Sequence, residues 1–84
     1  MSASLLEKAA AVLEERGHAY GAADPAFEAI AARWTLTLGR PVSAAQVVLC
    51  MIDLKLVRLA HDPDHEDSLI DVMGYAALFP EVSR

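Results

Sequence analysis

The chain has 84 residues, of which 55% are hydrophobic and only 6% aromatic, so its apolar content is mostly Ala, Leu and Val, the composition of one small helical domain. Seven Lys and Arg against twelve Asp and Glu give a formal net charge of -5, which excludes a duplex nucleic-acid binder that relies on a basic stripe. A single cysteine, Cys50, excludes an intramolecular disulfide, and no uncharged apolar run reaches the roughly 18 residues of a membrane span.

Helical periodicity recurs in four stretches separated by Gly and Pro. In the first, Ser4 and Glu7 have capping-box spacing, and Leu5, Leu6, Ala9, Val12 and Leu13 share a face, which predicts a helix over 5–16. Gly17 is expected to stop it, with 18–23 as a loop. Asp24 and Pro25 then read as N-cap and first helical residue. Phe27, Ile30, Ala31, Trp34 and Leu38 carry the apolar face of this second helix up to Gly39 and Pro41.

The third start is the most strongly marked. Ser43 and Gln46 form a capping box, and Val42 and Val47 have the spacing of a hydrophobic staple. From Val47 to Ala60 only Asp53, Lys55 and Arg58 are polar, so this helix is predicted to lie at the centre of the assembly. Asp62-Pro63-Asp64 makes a turn, Asp64 is the expected N-cap, and Glu66 and Asp67 sit where carboxylates favour the helix dipole. The fourth helix is expected to end before Pro80. The prediction is an all-α single domain over 1–84, four antiparallel helices completed by oligomerisation.

Charges within apolar helices carry the chemical information, because an unpaired buried charge costs several kcal/mol by order of magnitude. At about 100° per residue, Lys55 and Arg58 lie some 60° apart on one face of helix three, whereas Asp53 projects roughly 160° from Lys55. If helices three and four form an antiparallel hairpin, Arg58 faces the level of Asp67, and Lys55 that of Asp71. One reading is an ion-pair ladder, Arg58 with Asp67 and Lys55 with Asp71, that fixes helix register. The other uses Asp53, Asp71 and either Asp67 or Glu28 as oxygen ligands for Mg²⁺, with Lys55 and Arg58 on phosphate. Tyr20, beside Gly21, is a candidate for stacking on a base; Trp34 and Phe27 read as core anchors, and Cys50 as a small buried hydrophobe. His61 and His65 are separated by Pro63 and lack the helical spacing of a zinc pair; His61 reads as a partner of the helix dipole.

The order Glu15-Arg16-Gly17-His18-Ala19-Tyr20-Gly21, then Phe27, Ile30, Trp34, then Met51, Lys55, Arg58, then Pro63, His65, Asp67-Ser68, Asp71 and Gly74-Tyr75-Ala76 resembles a family of small phage and prophage proteins. That family is similar to the nucleotide-modification-associated helical domains and, more distantly, to the MazG-like all-α nucleoside triphosphate pyrophosphatases. The resemblance implies an all-α fold, Mg²⁺ held by acids on adjacent helices, and release of pyrophosphate from a nucleotide. Where those enzymes carry Glu-x-x-Glu on the preceding helix, this chain has Asp53 alone, with Lys55 and Arg58 nearby.

Two classes of function follow. The first is a nucleotide-binding or nucleotide-processing domain, with Asp53, Asp67 and Asp71 for Mg²⁺, Lys55 and Arg58 for phosphate, and Tyr20 or Trp34 near the base. The second is a non-catalytic acidic helical protein that binds another protein. An apolar share above the roughly 45–50% of an average domain implies burial against another subunit, a homodimer or larger assembly. With no basic and apolar leader pattern, a cytoplasmic location is expected.

Overall fold

The computed structural model describes residues 2–20 and 25–83, with the side chains of 4–15 and 25–83. Four helices follow one another: α1 (Ser2–Tyr20), α2 (Pro25–Leu38), α3 (Ala44–His61) and α4 (Glu66–Val82). There is no strand among the described residues. The chain is all-α.

Three predicted boundaries hold, both ends of α2 and the start of α3, and others move. Helix α2 opens on Pro25, whose missing N–H would have been unpaired there in any case, and ends at Leu38. Gly39 follows with φ 70°, a left-handed conformation open to glycine at no steric cost, and its N–H donates to the Thr35 carbonyl at 3.0 Å. The Thr35 hydroxyl donates to the Ala31 carbonyl at 2.8 Å and accepts from Val42 N–H at 2.9 Å. One side chain thus ties the end of α2 to the approach of α3.

At α3 both halves of the capping box form. Gln46 N–H donates to Ser43 Oγ at 3.1 Å, and Ser43 N–H donates to Gln46 Oε1 at 2.9 Å. Val42 packs onto the cluster that contains Val47, as the staple requires.

Helix α1 does not stop at Gly17 but continues to Tyr20 and begins at Ser2, so Ser4 lies within it rather than capping it. A single Gly costs only about 1 kcal/mol in a helix and does not by itself end one. The Asp24 N-cap lies outside the described residues. At α4 the cap is His65 and not Asp64: Ser68 N–H donates to His65 Nδ1 at 3.2 Å, and Ser68 Oγ lies 2.8 Å from the same nitrogen. Asp64 instead donates its N–H to Asp62 Oδ1 at 3.3 Å, within the turn. Pro80 lies inside α4, which runs on to Val82. Proline has no N–H for the Ala76 carbonyl, but Ala76 is exposed, so water can take that role near the helix end.

Helix α3 packs on both α2 and α4, and α4 also carries α1. The core joins Phe27 and Ala31 of α2 to Ala44, Val47 and Val48 of α3, with Tyr75, Leu78 and Phe79 of α4 packed against it. Phe27 and Tyr75 meet edge to face, ring centroids 6.2 Å apart at 74°. Although α3 serves two neighbours, it is not enclosed: Leu49, Leu54, Leu56 and Val57 are about half to two-thirds exposed. Central placement therefore holds for only part of its circumference.

Replacing Ser43 by Ala should cost about 1 kcal/mol of stability, because the Gln46 N–H loses its acceptor, while Ser43→Gly should cost only a few tenths. Denaturant titration of the two variants checks this ordering.

Candidate functional site

The half-buried charges meet in the seam between α3 and α4. Lys55 Nζ lies 3.1 Å from Asp71 Oδ2, and the two side chains are 17% and 18% exposed. This is one of the two pairs that the ladder reading expects. It forms because Lys55 lies on the arc of α3 turned towards α4, while Asp71 lies in the second turn of α4. Gly74 is buried on the same helix, and Tyr75 reaches across to Phe27.

The other pair does not form. Arg58 and Asp67 are both exposed, and no ion pair joins them among the described residues. Asp53 is also exposed, on the part of α3 turned away from Lys55. Glu28 is exposed on α2. Among the described residues no three acidic, histidine or cysteine side chains gather as a metal-holding group, so Asp53, Asp67 and Asp71 do not meet at one point.

Trp34 is half-buried against the core and lines a groove between α2 and α3 with Leu38, Arg40, Pro41, Leu49 and Cys50. Neither Lys55 nor Asp71 lines that groove. Cys50 is exposed and not the buried hydrophobe expected of it, because it projects from the open arc of α3. The Tyr20 side chain lies outside the described residues.

Two features escaped the sequence reading. Lys8 of α1 pairs with Glu66 at the start of α4, in the open, where roughly half of each side chain is exposed. Ser68 is fully buried with its hydroxyl on His65. Capping spacing, a polar residue three positions before Ser68, was present in the sequence, but histidine is an unusual cap beside the preceding Asp64.

Residues 4–83 match the family described as Domain of unknown function (DUF6378). The chain belongs to that family. The DUF6378 match covers all four helices and the Lys55–Asp71 seam, and its description names no activity or ligand. No curated protein and no solved structure matches the chain. No helix among the described residues is long and apolar enough to cross a membrane.

A double-mutant cycle with Lys55→Met and Asp71→Asn should give a coupling energy of roughly 1–3 kcal/mol, because the pair is largely withdrawn from water. The same cycle on Lys8 and Glu66 should give less than about 1 kcal/mol, since both partners are solvated. Equal coupling in the two cycles would contradict the difference in environment.

Proposed function

We propose that this domain binds a phosphate-bearing small molecule, a nucleotide by class, at the α3–α4 seam. The carrying observation is the Lys55–Asp71 pair, more than four-fifths buried. Holding two charges out of water costs several kcal/mol by order of magnitude, and an apolar pair of similar volume often stabilises a fold as well or better. Charges kept in such a place therefore fit a binding task. Lys55 supplies a compact cation for phosphate, and Arg58, about 60° round the helix and one turn along, supplies a planar fork of donors from the exposed side.

This reading retains the MazG-like, phage-type character that the sequence resemblance implies, with nucleotide processing as its stronger form. It includes antiparallel helix neighbours and a cytoplasmic setting. Magnesium enters only as the ion that accompanies a nucleotide. Because Asp53, Asp67 and Asp71 do not gather, no hydrolytic step is drawn through a bound metal.

A second reading is a non-catalytic interaction protein whose central charges only set helix pairing. The half-exposed apolar side chains along α3 favour it, since such a face fits a macromolecular partner better than a small ligand.

The first reading expects melting temperature to rise with at least one member of a panel of nucleoside and deoxynucleoside triphosphates supplied with Mg²⁺. At a ligand concentration 100 times Kd, the stabilisation should be about 2.7 kcal/mol. Lys55→Met should abolish the shift while leaving the far-ultraviolet circular dichroism helical. No shift with any nucleotide, or an undiminished shift in Lys55→Met, refutes it.

A further inference from the structure

The open arc of α3 has a definite composition. At about 100° per residue, Leu49, Asp53, Leu56, Val57 and Ala60 fall within roughly 100° of one another, with Cys50 at the margin. Leu49, Leu56 and Val57 are 47%, 49% and 63% exposed. Grooves border this arc on both sides: Leu49 and Cys50 border the one that contains Trp34 and Leu38, and Leu56 borders another formed with Leu5, Leu6 and Met73. The apolar surface thus spreads beyond one helix.

The chain as a whole is also more open than a compact domain of its size. A compact monomer of 9.0 kDa exposes about 4900 Å², whereas this chain exposes 5820 Å², roughly 900 Å² more. The radius of gyration shows the same openness, 13.6 Å against about 12 Å for a compact domain of this length. A stable protein–protein interface removes about 800 Å² from each partner. The excess is thus of the size that one such contact would cover.

We infer that the α3 face is the interface of a homodimer, with Leu49, Leu56 and Val57 of each copy packed against the other. A second copy is the occupant because one contact of ordinary size accounts for the excess on both molecules at once. A two-fold arrangement also presents the same apolar patch from each side, so each copy offers what the other lacks. Asp53 lies within this stripe as a polar interruption, the kind of residue that restricts two paired helices to one register. The inference uses the face on which the interaction reading rests but does not depend on nucleotide binding: its readout is mass, whereas that of the nucleotide site is a ligand-dependent melting temperature.

Light scattering coupled to size exclusion, over a hundredfold range of concentration in the micromolar region, should give twice the 9.0 kDa chain mass for the wild type. Leu56→Glu and Val57→Glu should each halve that mass with helical circular dichroism retained, since both side chains are already half or more exposed. Leu36→Glu, at 73% exposure on the side of α2 away from Phe27, should leave the mass doubled. A wild type that is monomeric throughout the range overturns the inference, as does a dimer unaffected by both α3 substitutions. Thiol reactivity of Cys50 gives a second measure: it should be slower in the wild type than in folded Leu56→Glu, and equal rates overturn the placement.

Discussion

The structure depends on α3 having to satisfy two neighbours at once. Val47 and Val48, adjacent in sequence and separated by about 100° round the helix, are both wholly without exposed surface. Adjacent residues can be enclosed together only if the helix is flanked over a wide arc. Helix α2 covers one part of that arc and α4 another, and α1 reaches the assembly mainly through α4. Four short helices arranged in this way have too few layers to cover the remaining arc of α3, however apolar it is.

That division explains why charges of similar appearance behave differently. Lys55 lies on the enclosed side and has a carboxylate opposite it, whereas Arg58 and Asp67 lie towards the margin, where water competes with any partner. Asp53 falls on the uncovered arc. The acids considered together for a metal are thus distributed between a seam and open surfaces, and the lysine in the seam is the strongest remaining pointer to a ligand. In the proposed site, an incoming anion would have to compete with Asp71 for the ammonium group.

Local hydrogen-bonding signals read well from the sequence. The Ser43–Gln46 box, Pro25 at a helix start and Gly39 just beyond a helix end each satisfy backbone groups with atoms only a few residues away, so spacing is sufficient to find them. The expected pairing of Lys55 with Asp71 also forms. Readings that depended on competition fared worse. Gly17 is carried through by its neighbours, His65 displaces Asp64 as the cap, and Pro80 is tolerated where its missing hydrogen bond falls near solvent. Hydrophobic pattern alone could not separate the part of α3 covered by α2 and α4 from the part left open. Both are made of the same Leu and Val residues, and the number of neighbours, not the sequence of one helix, decides between them.

The helices are also fastened to one another in different ways. Thr35 ties α2 to the approach of α3 by accepting the Val42 N–H, and the shared core binds that pair to the later half of α4. Helix α1 is held differently: among its described side chains Ala9 is the buried one, and its link to Glu66 is solvated. Helix α1 is thus fastened mainly to one neighbour, α4, whereas α3 is fastened to two. Leu5 and Leu6 of α1 border the same groove as Leu69 and Met73 of α4 and Leu56 of α3. The first helix thus extends the apolar strip of α3 across α4 as well as completing the fold.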